Sequence, residues 1–181
     1  MKEIVHMHRD LIEAAKKGER YAQKSLFDLY SKAMYNIGMR ILGNPDDAAD
    51  VTQDVFLEIF KKLDSFSYKS TFGAWAKKIM VNRSINHLQR RPMHYDLPET
   101  EALHEDQNNE NEDVAALMMQ LNTSLLELPE GCRVVFTLYY FEGLRHEEIA
   151  SYLNISASTS KSQLSRAKQL LRTSITQKIE A

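Results

Sequence analysis

The chain has 181 residues, a single cysteine, and 25 acidic against 23 basic residues. That length suits one domain or two small ones, and one cysteine excludes an intramolecular disulfide. The net charge of −2 does not by itself announce a nucleic-acid partner.

The N-terminus, MKEIVHMHRD, has no apolar core of signal-peptide length, and no apolar run approaches a membrane span. A soluble, cytoplasmic protein without membrane insertion is therefore expected. Few Gly and Pro and helical periodicity throughout predict an all-α fold.

Residues Asp10 to Gly18 should form a short helix with Leu11, Ile12 and Ala15 on one side. A longer helix is expected from about Glu19 to Leu42. Its residues Leu26, Leu29, Tyr30, Ala33, Ile37 and Ile41 recur at three- and four-residue spacing. Gly43-Asn44-Pro45 ends it, and Asp46 or Asp47 should cap a third helix reaching Leu63. There Val51, Val55, Ile59 and Leu63 form an i, i+4 stripe for a core. Asp50, Gln53, Asp54 and Leu57 lie largely elsewhere. On residue types alone those carboxylates read as a solvated face.

Asp64 to Ser70, DSFSYKS, is a polar and aromatic loop. A fourth helix should run from about Thr71 to Arg90, with Val81, Ile85 and Leu88 on one stripe and Asn82, Asn86 and Arg90 on another. Trp75 and Ile79 begin on the polar side, so a neighbour should cover the first half. Asn can hydrogen-bond base edges while nearby cations neutralise phosphates. Asn buried and satisfied by backbone fits this helix equally well.

Pro92 closes a first domain, residues 1–92. Residues 93–113 read as an extended or disordered acidic linker, since they offer little to bury. They carry Asp96, Glu99, Glu101, Glu105, Asp106, Glu110, Glu112 and Asp113 with no Lys or Arg. Between Lys69 and Arg91 the reverse holds: Lys69, Lys77, Lys78, Arg83, Arg90 and Arg91, without Asp or Glu. Acidic and basic blocks in one near-neutral chain point to separate electrostatic tasks.

A second domain, residues 114–181, should hold helices over Val114 to Leu126 and Glu130 to Phe141. After Gly143 comes EEIASYLNISASTSKSQLSRAKQLL, Glu147 to Leu171. Ile149, Ala150 and Leu153 share a helical face. Asn154 tolerates a left-handed turn, and Ser156 suits an N-cap. The next helix should bury Leu164, Ala167 and Leu171. Its other face carries Thr159, Lys161, Ser162, Ser165, Arg166 and Lys168 with no acid. That is the layout of a helix-turn-helix, whose second helix enters the DNA major groove. An ordinary pair of helices with a solvated basic face shares the pattern.

His6 and His8 lack a third ligand nearby in sequence, and Cys132 has no fixed His partner. There is no P-loop, no glycine-rich dinucleotide turn and no paired-cysteine zinc spacing. Neither a cofactor nor a metal is expected, and no catalytic residue stands out.

The order of these pieces carries a resemblance. Asp10 to Lys178 resembles an RNA polymerase sigma factor of the extracytoplasmic-function (ECF) group in the sigma-70 family. Asp47-Ala48-Ala49-Asp50-Val51-Thr52-Gln53-Asp54-Val55-Phe56 resembles the helix that binds core polymerase. Trp75 through Arg91, with Ile79, Asn82, Ile85 and Leu88, resembles the helix that reads the minus-10 element. Leu128-Pro129, Arg133-Val134-Val135-Phe136, Glu142-Gly143 and Glu148-Ile149-Ala150 resemble the domain that reads minus-35.

Departures fall at Ala49 and Asp54, at Asn86 where Asp is frequent, and at Ser158, Ser160 and Gln163, which replace the usual Gly, Val and Arg. They bear on promoter sequence.

The resemblance implies a non-enzymatic promoter-specificity subunit whose partners are core RNA polymerase, promoter DNA and an anti-sigma factor. It assigns Asp50, Gln53, Asp54 and Phe56 to core binding. Ser67, Tyr68, Lys69, Asn82, Arg83, Asn86 and Arg90 go to minus-10. Thr159, Lys161, Ser162, Ser165, Arg166 and Lys168 go to minus-35. The loop matching Asp64 to Ser70 would hold one flipped base, and unstacking that base costs a few kcal/mol. The linker would thread the polymerase's basic nucleic-acid path, or act as a passive tether. Two further readings stay open: a stand-alone helix-turn-helix regulator, and an enzyme acting on nucleic acid.

Overall fold

The computed structural model describes the backbone of residues 8–90 and 112–179, all helices and connections with no strand among them. The chain divides into two compact units, Met1–Arg91 and Pro92–Ala181.

In the first unit α1 (Arg9–Lys16), α2 (Arg20–Leu42), α3 (Pro45–Lys62) and α4 (Phe72–Arg90) pack around α2, with a 3-10 turn at Leu63–Ser65. Gly43, at φ 72°, ends α2 and donates its N–H to the Met39 carbonyl at 2.9 Å. A left-handed residue here favours glycine, which has no Cβ to clash. The cap of α3 is Asn44 and not Asp46 or Asp47: its Oδ1 accepts the Asp47 N–H at 3.0 Å. Pro45 then occupies the first helical position, where a missing N–H leaves no bond unmade. Asp46 and Asp47 lie in the first turn, where they favour the positive end of the helix dipole.

Ile12, Leu26, Ile41, Val55, Ile59, Leu63, Phe72 and Met80 are almost completely buried in this unit. Each side chain of this size stabilises by about 1.5–3 kcal/mol on transfer from water. At Gly38 a Cβ would lie 2.4 Å from the Met80 Cε, so the missing side chain lets α2 and α4 close up. The apolar spacing of α2 is only partly a core stripe. Leu29 is 53% exposed and Ala33 is exposed as well, while Ala22, Met34 and Met39 are buried. Periodicity selects a face; only the neighbouring helices decide how far along the helix that face is covered.

The second unit holds α5 (Glu112–Leu126), α6 (Glu130–Tyr140), α7 (His146–Leu153) and α8 (Ala157–Ile179), with α8 packed on the other three. Its core joins Leu125, Leu128, Cys132, Ala167 and Leu171, with Val135, Leu138, Ile149 and Leu164 buried alongside. The Ser124 and Ser174 hydroxyls meet at 3.1 Å between α5 and α8. Helix α5 begins at Glu112, two residues inside the segment expected to be linker. The rest of that segment, residues 93–111, lies outside the described residues. No described helix is long and apolar enough to cross a membrane, and no cluster of three metal-ligating side chains occurs among the described residues.

Candidate nucleic-acid interface

The second unit builds its surface from a tight turn. Asn154 closes α7 at φ 54°, ψ 44°, and its N–H reaches the Ala150 carbonyl. The Ser156 Oγ accepts the Thr159 N–H at 2.9 Å and so caps α8. Helix α8 then buries Ser160, Leu164, Ala167 and Leu171 and leaves Lys161, Ser162, Ser165 and Arg166 exposed. These four form one continuous stripe, at i, i+1, i+4 and i+5.

The other two expected contacts stand at the edges of that stripe. Thr159 is half-buried, its hydroxyl 2.8 Å from that of Ser156. Lys168 is half-buried with its ammonium 5.4 Å from the Tyr140 ring centroid. Ser158 and Gln169 are also exposed, at i−4 from Ser162 and i+4 from Ser165. Sequence reasoning did not select them as contacts, though the same helical spacing points to them.

Behind the stripe, Ser160 is fully buried, and its hydroxyl sits 2.9 Å from the His146 Nδ1. The His146 ring stacks on Tyr139 with centroids 4.9 Å apart. The start of α7 is thereby fixed to both flanking helices. Gln163 leans towards α6, where a Cβ at Gly131 would meet its Nε2 at 2.8 Å. Burial pushes the Cys132 thiol up, opposed by the nearby charge of Arg166. A thiol so placed is a packing residue.

The first unit offers two surfaces. On α3, Asp50, Gln53 and Asp54 are exposed, beside Leu57 at 59% exposure. Phe56 is not with them. It is 2% exposed, with its ring centroid 4.8 Å from Phe27 and 6.0 Å from Phe60. The expectation that it touches polymerase is therefore corrected: an i+2 position from Asp54 faces away from that carboxylate, into the core.

The second surface combines α4 with the loop before it. Asn86 and Arg90 are exposed and Asn82 is half-buried. The Arg83 Nε donates to Glu58 on α3, with its side chain still 40% exposed. Lys62 donates to the other Glu58 oxygen at 2.6 Å. Lys62 first and then Arg83 hold the Glu58 carboxyl below the usual carboxylate range, against the opposing effect of burial. In the loop, Ser67 and Lys69 are exposed. Phe66 is buried among Tyr68, Phe72 and Trp75, with ring centroids 4.8, 5.9 and 5.3 Å away.

Tyr68 differs from its neighbours. It is half-buried, and its hydroxyl donates to Glu13 of α1 at 2.6 Å. Its φ is 58°, a left-handed conformation that costs a side-chain-bearing residue about 1–2 kcal/mol. Burial, then the Glu13 carboxylate, push its pKa up to about 12. The structure thus engages the phenol of this expected minus-10 residue with α1 and leaves part of its ring exposed.

Two helical units, one with a turn and an exposed, acid-free helix face, define a helix-turn-helix DNA-binding protein. The description "Sigma-70 region 2" matches residues 26–92, and "Sigma-70, region 4" matches residues 118–171. The chain is 31% identical over 173 residues to the ECF RNA polymerase sigma-E factor of Escherichia coli (strain K12), covering 89% of this chain and 90% of that one. It is 28% identical over 178 residues to the ECF RNA polymerase sigma factor SigW of Bacillus subtilis (strain 168), covering 92% of this chain and 95% of that one. Among solved structures, the sigma factor RpoE in complex with the anti-sigma factor NepR from Bartonella quintana shares the fold. Its TM-score is 0.53 at 22% identity, over 84% of this chain and 96% of that one.

The chain belongs to the sigma-70 family, within its ECF group. It is a promoter-specificity subunit that acts with core RNA polymerase to start transcription.

Proposed function

We propose that the two units divide the work of promoter recognition along the surfaces just described. The second unit takes minus-35 through Lys161, Ser162, Ser165 and Arg166. Thr159 and Lys168 support the edges of that contact. The first unit takes core polymerase through Asp50, Gln53 and Asp54 on α3. It takes the minus-10 strand through Asn82, Asn86, Arg90 and the exposed loop residues Ser67 and Lys69, with the free part of Arg83 reaching phosphate. The observation that carries this reading is the exposed stripe of α8. It joins two cations to short hydroxyl side chains on the helix behind a capped turn, where groove-reading residues sit.

Residues 93–113 join the two grips, and holding both on polymerase raises their effective concentration for one promoter. Their eight carboxylates suit the basic nucleic-acid path of polymerase, which they enter until the transcript displaces them. The protein works in the cytoplasm, where polymerase is. The Bartonella relative was solved with an anti-sigma factor, and we extend that class of partner to this chain.

Footprinting with reconstituted holoenzyme tests the assignment. Arg166→Ala should weaken minus-35 binding by about 1–3 kcal/mol, the worth of a bidentate base contact. Core binding should be untouched. Unchanged minus-35 protection removes the recognition helix from the proposal. A stand-alone regulator would instead protect its site equally well without polymerase.

A further inference from the structure

Helix α1 lies outside every surface assigned above, yet three of its charged side chains converge on one residue of the loop. Arg9, Glu13 and Lys16 are spaced i, i+4 and i+7, so they share a helical face. The Arg9 guanidinium carbon lies 5.2 Å from the Tyr68 ring centroid, and the Lys16 ammonium lies 5.0 Å from it. Both distances fall within cation–π range. Between those cations Glu13 accepts the Tyr68 hydroxyl at 2.6 Å and the Lys16 ammonium at 3.1 Å. Lys16 also donates to the Phe66 carbonyl at 3.3 Å, which holds the loop backbone two residues before Tyr68.

What is held is a strained residue. A tyrosine at φ 58° persists only where its surroundings over-determine it, and such outliers concentrate at functional sites. Its phenol donates to Glu13, its ring meets the buried Phe66 at a 57° tilt, and two cations of α1 lie within reach of that ring. The left-handed turn at Tyr68 leaves its two neighbours, Ser67 and Lys69, exposed.

We propose that α1 is a positioning arm: through Glu13 and Tyr68 it sets the shape of the 66–70 loop that presents Ser67 and Lys69 to the minus-10 strand. Glu13 and Tyr68 are positioning residues and touch no base. This inference rests on the assignment of that loop to minus-10 given above. The chemistry is selective for a hydrogen-bond acceptor at position 13. Gln keeps an acceptor for the phenol, and Ala does not.

The test measures holoenzyme affinity for a fork-junction DNA with a single-stranded minus-10 element, taken from a promoter the holoenzyme transcribes in run-off assays. A minus-35 duplex serves as the control probe. Glu13→Ala and Tyr68→Phe should each weaken fork-junction binding by about ten-fold, the upper end of what one ordinary hydrogen bond contributes. Glu13→Gln should stay within about two-fold of the wild type, and the minus-35 duplex should bind all variants equally. Amide hydrogen exchange at residues 66–70 should rise in Glu13→Ala and not in Glu13→Gln. If Glu13→Gln fails as badly as Glu13→Ala, a neutral acceptor does not hold the loop and the hydrogen-bonded arm is overturned. The same holds if Ser67→Ala and Lys69→Ala weaken fork-junction binding while Glu13→Ala and Tyr68→Phe do not. If Ser67→Ala and Lys69→Ala have no effect either, the loop's assignment to minus-10 falls, and the positioning role falls with it.

Discussion

The two units present their surfaces in different ways. In the second, the proposed DNA face is one side of one helix: Lys161, Ser162, Ser165 and Arg166 are exposed on α8, the Ser162 hydroxyl donating to the Thr159 carbonyl of the same helix, and Leu164 and Ala167 are buried behind them. In the first, the candidate residues are shared among elements. Arg83 bonds Glu58 across helices, Tyr68 bonds Glu13 across 55 residues of chain, and Phe56 has turned into the core. A helix-turn-helix is read almost entirely from local spacing. A surface made of a loop and several helices is read only once the packing is known.

The largest expected effect tests the face of α3 that the packing leaves free. Asp50→Lys with Asp54→Lys replaces two exposed carboxylates by cations. Like-charge juxtaposition at an interface costs several kcal/mol. Holoenzyme should cease to assemble, while circular dichroism keeps its helical signal. Normal co-elution with core polymerase would return those carboxylates to plain solvation.

Next in size is the residue the two readings treat differently. Phe56→Ala should destabilise the first unit by about 3–5 kcal/mol, as a buried aromatic deleted from a core does. Denaturant melts followed by Trp75 fluorescence report on that unit directly. A melt like that of the wild type, with impaired polymerase binding, would put Phe56 back on the surface.

Asn82→Ala sharpens the contrast within α4. Loss of one hydrogen bond should reduce promoter opening by about 0.5–1.5 kcal/mol, seen as weaker permanganate reactivity in the bubble. Initial binding of holoenzyme to duplex should not change. An unaltered bubble makes Asn82 a packing residue.

The smallest effect is spectroscopic. A phenol whose folded pKa is raised from 10.0 to about 12 supports the fold below pH 10. That support is lost between pH 10 and about 12, as the unfolded chain gains from ionising first. Tyr68 should therefore titrate late in an ultraviolet titration, and Tyr30, which burial also pushes up, should not follow the exposed tyrosines either. Glu13→Ala should bring Tyr68 back towards the others, since the carboxylate is the second cause of the shift after burial. The reciprocal sign holds for Glu13. Its pKa is lowered chiefly by the Tyr68 hydrogen bond, so its contribution is lost on acidification through that lowered value.

Much was fixed by sequence alone because it is local. Helical spacing sets which residues of α8 can share a face, Asn154 and Ser156 set the turn and the cap, and Gly43 ends α2. The order of the motifs was enough to suggest the family. Other features depended on tertiary structure because the competing choices are locally equal. Leu29 and Leu26 fit the same apolar pattern, and only neighbouring helices leave one exposed and bury the other. Phe56 stands in a stretch that resembles a polymerase-binding helix, but a large apolar ring next to Phe27 gains more by burial than by exposure. Glu13 and Tyr68 are far apart in sequence, and no spacing rule joins them. Their contact exists because α1 packs beside the 3-10 turn that leads into the loop.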